Sequence, residues 1–251
     1  MNGILFSRSE AFRNSLLASL PAAEFDRIQP ALQPVFLKLG DVLHECCNQM
    51  DCVYFPTTAV VTLLYLTQDG TTTTTGIIGN DGILGIELFM GGNSTPNLAI
   101  VQSAGRAFRM SAGAVRAEFA ADCAFRDSLL RYTQALITQV SQTAVCNRLH
   151  SVQQQLARWL LDSLDRLEAD KLALTHEQIA RFLGVRRESV TIAIEKLSEL
   201  GLVKNVRGLV TIIDRDGLEF AACECYRVVS DEYDRLVGRN ISRTAEHFQW
   251  A

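Results

Sequence analysis

The most telling gap in this 251-residue chain is one of positive charge. Between Lys38 and Arg106 there is no Lys or Arg, yet six acids stand there: Asp41, Glu45, Asp51, Asp69, Asp81 and Glu87. A buried phosphate needs a cation, a helix N-terminus or several N–H donors. The stretch is therefore poorly furnished for an anionic ligand, and a backbone nest around Gly91-Gly92 is the remaining device. Long apolar runs are missing as well. No uncharged apolar run reaches the length of a membrane-spanning helix, and Arg8, Glu10 and Arg13 interrupt what would have to be the apolar core of a secretory signal. Seven Cys, an odd number without a regular framework, suit a reducing cytoplasm better than a disulfide scaffold. No nucleophile–base pair, phosphate-cradling Gly-x-x-x-x-Gly-Lys loop or His-Glu-x-x-His motif occurs. The four histidines, His44, His150, His176 and His247, are scattered. No enzyme activity and no cofactor are expected.

What is present centres on Leu174 to Val210. Thr175 is a good N-cap, and Ile179, Ala180, Phe182 and Leu183 follow at helical spacing until Gly184 breaks the pattern. A second helix is predicted from about Arg186 to Leu200, with Val190, Ala193, Ile194, Leu197 and Leu200 as its apolar stripe and Gly201 as its stop. Arg187, Glu188, Thr191 and Ile192 share another face. Two short helices joined by a tight Gly turn form a helix-turn-helix pattern. Leu202-Val203-Lys204, a loop at Asn205 to Gly208, and Leu209 to Ile213 read as a β-hairpin wing. Arg bonds bidentately to guanine, Glu accepts from cytosine N4, and Thr reaches base or phosphate. Arg187 and Glu188 are the expected base contacts, with Arg186 and Thr191 at a base edge or phosphate. Thr175, His176 and Arg207 are expected at the DNA backbone. The net charge of −4 argues against non-specific coating of DNA. It leaves room for site-specific binding, because His176 to Arg207 carries six Lys or Arg against four Glu.

The run GVRRESVTIAIEKLSELGLV, followed by a wing, resembles the DNA-binding domain of the cyclic-AMP receptor/FNR (Crp/Fnr) superfamily of bacterial transcription regulators. Arg187, Glu188, Ser189, Val190 and Thr191 match that family's recognition-helix pattern, while Ile192 stands where a second Arg is usual. CNRLHSVQQQLARWLL and EFAACECYRVVSDEYDRL are similar to a large proteobacterial subgroup, so the resemblance spans nearly the whole chain. It implies an α+β protein with a jelly-roll (double-stranded β-helix, cyclic-nucleotide-binding-like) sensor, a long dimerisation helix and a C-terminal winged helix-turn-helix. The implied partners are a double-stranded, pseudo-palindromic operator, a second copy of the chain and RNA polymerase, with no membrane.

The residues upstream fit that plan. Residues 1–34 read as short helices punctuated by Pro21 and Pro30. Residues 35–120 carry about eight short strand signals, including Val60 to Leu66, the five threonines Thr71 to Thr75, and Ile77-Ile78, which suggests a double-sheet jelly roll. The family's phosphate cassette would fall on Gly82 to Val101. There Gly85 is followed by a Glu one place late, Glu87, and Thr95, Pro96 and Asn97 stand in place of the phosphate-binding Arg. Gly85, Glu87, Thr95 and Asn97 are the pocket candidates, for an unknown effector other than a cyclic nucleotide held in the usual mode. An alternative is a partner-driven module, or a redox or metal sensor built on Cys46, Cys47 and Cys52. The spacing of those three lacks a C-x2-C pair. Cys223 and Cys225, on a helix, would diverge, so no metal is expected there either.

From about Phe125 to Asn147 a helix of residues 121–150 shows a heptad seam of Leu129, Thr133, Leu136, Val140, Thr143 and Asn147. In the resembled family the equivalent helix forms the dimer interface. Residues 151–217 would be the winged domain, with a hinge near Asn147 to Ser151. Residues 218–251 would be a helical extension packed on it through Phe220, Tyr226, Val229, Tyr233 and Leu236, with no clear signal from Ile241 to Ala251.

Overall fold

A computed structural model describes residues 7–238 other than Asp69, Asp122 and Glu168. Ile241 to Ala251, and His247 with it, lie outside the described residues. Three short helices open the described part: α1 (Arg8–Ala11), α2 (Ser15–Ala18) and α3 (Ala22–Ile28). Asn14 caps α2 through its side-chain oxygen, and its Nδ2 donates to the carbonyls of Pro56 at 2.9 Å and Gly82 at 2.8 Å. One buried amide thus ties the N-terminal helices to the sheets beneath them.

Seven strands follow: β1 (Gln33–Leu37), β2 (Val42–His44), β3 (Cys52–Pro56), β4 (Val60–Leu66), β5 (Thr72–Ile78), β6 (Asn97–Ser103) and β7 (Gly105–Ser111). They form two antiparallel sheets, β1-β7-β3 and β2-β6-β4-β5. Aliphatic side chains fill the space between them: Leu37, Val61, Ile78, Leu84 and Val101, with Ala59, Ala99 and Ala107. The jelly roll has seven strands rather than about eight, because the threonine run and Ile77-Ile78 form one strand. Gly76 does not break it. Its missing Cβ lets α5 (Ala124–Leu149) approach, so that Gln139 Oε1 accepts from the Ile77 amide at 2.9 Å.

The helix α4 (Ala112–Ala120) leads into α5, and α6 (Val152–Leu167) follows after His150 and Ser151. Next come β8 (Lys171–Ala173), α7 (His176–Leu183), α8 (Arg187–Glu199), β9 (Val203–Val206) and β10 (Leu209–Ile212), then α9 (Arg215–Ala221) and α10 (Cys225–Val237). The wing is a three-stranded sheet, β8-β10-β9. Strand β8 is too short to carry an alternation of its own. Among the described residues no helix is long and apolar enough to cross a membrane.

The two halves share a core. Val60, Leu64, Ile77 and Ile100 of the jelly roll join Leu160, Leu164, Phe182, Ile194 and Leu197 in one cluster. At its edge Arg166 is fully buried, 3.2 Å from Asp81 of the jelly roll and 3.6 Å from Asp162 of its own helix. Its guanidinium also lies over the Tyr233 ring of α10, 5.1 Å from the centroid. A Cβ at Gly79 would stand 2.4 Å from Arg166 Cβ, and one at Gly82 would stand 2.4 Å from the Tyr132 ring. The turn between those glycines is where α5 and α6 meet the sheets.

Two expectations change here. Leu129, Thr133, Leu136 and Thr143 of the heptad seam are buried in this chain's own interior, leaving only Val140 and Asn147 of the six exposed. Thr133 and Thr143 donate back to the carbonyls of Leu129 and Gln139, each at 2.8 Å. The free apolar stripe is Leu130, Ile137, Val140, Val145 and Leu149. It lies about one residue, or roughly 100°, around the helix from the seam, a displacement that a 3.5-residue period scarcely resolves. The C-terminal tail is also two helices, not one. Helix α9 packs on the winged domain through Leu218, with Phe220 93% exposed. Helix α10 instead lies along α5 and puts Val229, Tyr233 and Val237 into the core beside the jelly roll and the N-terminal helices.

Candidate nucleic-acid interface

The helix-turn-helix is fixed by its caps. Thr175 and Gln178 form a reciprocal capping box at the start of α7, worth on the order of 1 kcal/mol. Gly184 closes α7 in the left-handed region at φ 69°, where a β-carbon would be strained. At its other side α7 leans on β5, the outer strand of the four-stranded sheet. Thr72 Oγ1 donates to the Arg181 carbonyl at 3.2 Å, and Thr74 Oγ1 to that of Phe182. The threonine run thus satisfies carbonyls that α7 leaves open at its C-terminal end.

Helix α8 begins at Arg187 with Arg186 as its N-cap. Val190, Ala193, Ile194 and Leu197 are buried beneath it. Arg186, Arg187, Glu188 and Ile192 face solvent, Ile192 with 53% exposure. A large apolar side chain left exposed between charged ones has no internal packing to explain it. The wing turn is Arg207-Gly208, both with positive φ (50° and 80°), in the two-residue hairpin form whose twist suits the strands. Asn205 and Val206, expected in the loop, belong to β9. Arg207 stands exposed at the tip.

His176 joins these parts. Its Nδ1 lies 3.0 Å from Thr191 Oγ1 and its Nε2 lies 2.7 Å from the Asn205 amide nitrogen. Thr191 Oγ1 also donates to the Arg187 carbonyl at 3.2 Å. Both ring nitrogens are therefore engaged inside the protein, and His176 braces helix to wing rather than offering a free donor to a phosphate. Asn205 was not legible as part of this surface, since nothing in its sequence context marks it.

The four pocket candidates sit in two local turns of the Gly82 to Val101 stretch. Gly85, at φ 101°, packs against Val53 and His44 at the start of a 3-10 turn that contains Glu87. Thr95 Oγ1 accepts from the backbone and side-chain nitrogens of Asn97. Arg116 of α4 approaches this region, but its Nε donates to the Leu88 carbonyl at 3.0 Å and its Nη2 to Asn93. A cleft of about 400 Å³, counting its open mouth, lies elsewhere, between β5, α5, α6 and α7, and is lined in part by Gln139, Thr143, Arg158 and Asp162.

Six of the seven cysteines fall into two groups, with Cys123 apart at the N-cap of α5. Cys46 and Cys47 are exposed with sulfurs 3.2 Å apart, while Cys52 is buried on β3, where burial and its neighbours push its thiol up to about 11. They form no shared ligand set with His44 or Asp51. Cys223 and Cys225, in contrast, do not sit on one helix. The chain breaks at Ala222 and α10 starts only at Cys225, so the two sulfurs turn the same way, toward Cys146 and His150. The expectation that they diverge assumed a continuous helix.

Comparison with known proteins follows the same outline. Residues 154–221 match the Crp-like helix-turn-helix domain family. A search of curated proteins finds no significant match. Among solved structures, a transcriptional regulator of the Crp/Fnr family from Eubacterium rectale is similar over 82% of this chain and 96% of its own, with 19% identity and a TM-score of 0.64. FixK2 from Bradyrhizobium japonicum is similar over 76% and 98%, with 17% identity and a TM-score of 0.66. A CRP-family transcriptional regulator, TTHB099, from Thermus thermophilus is similar over 75% and 96%, with 18% identity and a TM-score of 0.63. Residues 154–221 are thus a Crp-like helix-turn-helix domain, and the chain as a whole has the fold of the Crp/Fnr-family regulators.

Proposed function

We propose that the protein acts in the cytoplasm as a homodimer that reads a pseudo-palindromic operator, with half-sites one DNA turn (about 34 Å) apart. The observation that carries this is the solvent-facing row Arg186, Arg187, Glu188 and Ile192 on α8, braced to the wing through His176. Arg187 and Glu188 are assigned to base edges. Arg186, Thr175 and Arg207 are assigned to phosphates, and Thr191 to orienting the helix. Ile192 would meet a thymine methyl where relatives place a second Arg. The second copy docks along α5 on the stripe Leu130, Ile137, Val140 and Val145. The sensor half does not hold a cyclic nucleotide in the family's manner, because no Lys or Arg lies between Lys38 and Arg106 in the sequence and Arg116, which reaches the Gly82 to Val101 stretch, already serves the loop it touches.

Selection of bound sequences from random DNA tests this reading. A two-fold enriched site is expected. In the Arg187→Ala protein one base position should relax, with a loss of roughly 1–3 kcal/mol there. Unchanged selectivity in that variant would remove Arg187 from base reading, and no enriched palindrome would favour a partner-driven module.

A further inference from the structure

Four potential metal ligands converge at the hinge between α5 and α6. Cys146 lies in the last turn of α5 and His150 caps that helix; Cys223 lies in the break before α10, and Cys225 is the first residue of α10. Their Sγ and imidazole nitrogen atoms all lie within 4.8 Å of one another. The three cysteines are buried and His150 is half-buried. Among the described residues this is the one such grouping of three or more His, Cys, Asp or Glu ligands.

We propose that Cys146, His150, Cys223 and Cys225 form a tetrahedral Cys3His site for a thiophilic divalent ion, Zn²⁺, that fastens the C-terminal helix to the hinge. Four observations support it. A tetrahedron with Zn–S near 2.3 Å and Zn–N near 2.05 Å has edges of about 3.8 Å between sulfurs and about 3.6 Å between sulfur and nitrogen. Cys146 and Cys223 have sulfurs 3.4 Å apart, and Cys225 Sγ lies 3.6 Å from His150 Nδ1. These two edges are already close to those values, and the remaining ones lie within 4.8 Å.

Secondly, the histidine is oriented as a ligand. Nδ1 faces the sulfurs, and Nε2 pairs with Glu224 Oε1 at 3.3 Å. A carboxylate behind a metal-binding imidazole fixes its tautomer and raises its basicity. Thirdly, the charge balance is suitable. Three thiolates and one Zn²⁺ leave a net negative charge, and the buried Arg158 guanidinium lies beside Cys146, held by Asp162 at 3.2 Å and Thr143 at 2.8 Å. Finally, the frame is fixed: Gln155 Nε2 donates to the Cys146 carbonyl at 3.3 Å and to that of His150 at 2.9 Å.

Other occupants fit less well. A four-iron cluster takes one thiolate per iron at the corners of a cube, which sets its ligands much further apart than a single ion does. A Cys146–Cys223 disulfide would need an oxidant and closure to about 2.05 Å, and it would leave Cys225 and His150 without a role. Binding of Zn²⁺ releases the three thiol protons to solvent with no change of oxidation state. The site stands whether or not the protein reads DNA, because it rests on these ligands alone.

The test uses the full chain, purified under reducing conditions and assayed for metal content, then stripped and titrated with Co²⁺ alone. About one Zn²⁺ per chain is expected. Co²⁺ should give the intense visible bands of tetrahedral cobalt and a near-ultraviolet thiolate-to-cobalt band. The Cys223→Ser/Cys225→Ser protein should lose at least about tenfold in Co²⁺ affinity, while the Cys46→Ser/Cys47→Ser/Cys52→Ser protein keeps both bands. A weak octahedral cobalt spectrum in the wild-type chain would overturn the proposal without reference to any variant. So would tetrahedral binding that survives the first variant and disappears in the second, or an iron–sulfur chromophore in the purified protein.

Discussion

The winged half and the jelly-roll half answer the same question in opposite ways. The winged half shows its chemistry outward: Arg186, Arg187, Glu188 and Ile192 stand in solvent on a short helix whose other face is fully packed. The jelly roll turns inward, with aliphatic side chains between its sheets and Arg116 of α4 engaged by the Leu88 to Asn93 loop. Exposed polar and apolar groups with no internal purpose point to a partner. A closed aliphatic interior points to none, so the proposed DNA contacts rest on the winged half. The halves are nevertheless not separate bodies. They share one core, and Arg166 joins the jelly-roll turn, α6 and α10 at a single buried guanidinium.

The largest expected effect tests that junction. Arg166→Ala leaves Asp81 and Asp162 facing each other's surroundings with this cation gone, and should cost about 3–5 kcal/mol. Urea denaturation followed by tryptophan fluorescence and by far-ultraviolet circular dichroism measures it. Coincident transitions in the wild type, shifted together in the variant, are expected. If the jelly roll kept its own midpoint while the winged half moved, the two regions would be thermodynamically independent.

A second test separates the two faces of α5. Leu129 is fully buried, and Leu129→Ala should destabilise the chain by about 2–5 kcal/mol while leaving its oligomeric state unchanged. Ile137 is 57% exposed. Ile137→Glu should change stability by less than about 1 kcal/mol at monomeric concentrations, and should shift sedimentation from dimer to monomer. A dimer that survives Ile137→Glu would place the second copy on another surface.

What the sequence made legible follows from these contrasts. The helix-turn-helix could be read closely, because Thr175, Gly184 and Gly201 act locally: a cap, a left-handed turn and a stop depend on neighbours in the chain. The jelly roll was readable as a class, though β5 merged two strand signals, since only the approach of Gln139 explains an unbroken Gly76. Heptad spacing alone places the α5 seam on the adjacent stripe, because both stripes carry apolar residues and only the tertiary partners, α10 and β5, decide which is inside. The Cys3His grouping was least legible of all. Its ligands lie 77 residues apart at Cys146 and Cys223, and the break before α10 that aligns them has no strong breaker residue.

A smaller effect separates contacts within the winged half. Arg207→Ala at the wing tip should weaken binding to every sequence alike and reduce the salt dependence by about one ion, whereas Arg187→Ala should alter one base position. Binding measured across a salt series on matched and mismatched sites distinguishes them. A wing variant that changed sequence preference would move base reading from α8 to the hairpin.

The smallest effect belongs to the jelly roll and concerns pH. His44 is buried on β2 beside the Tyr54 ring, and its Nε2 meets no hydrogen-bond partner among the described residues. Burial lowers its tendency to hold a proton, a shift that Glu87 and Asp51 oppose without reversing. A histidine depressed in the folded state is protonated first in the unfolded chain. Its contribution is therefore complete above the unfolded value of about 6.5 and is lost as pH falls below it, because the unfolded state then binds more protons. Denaturation midpoints between about pH 8 and pH 5 should fall with pH in the wild type, and fall less in His44→Phe, which keeps a ring in the space but cannot take a proton. An unchanged slope would show that His44 is solvated in solution, and would make the inside of the jelly roll more open to polar ligands than its aliphatic lining implies.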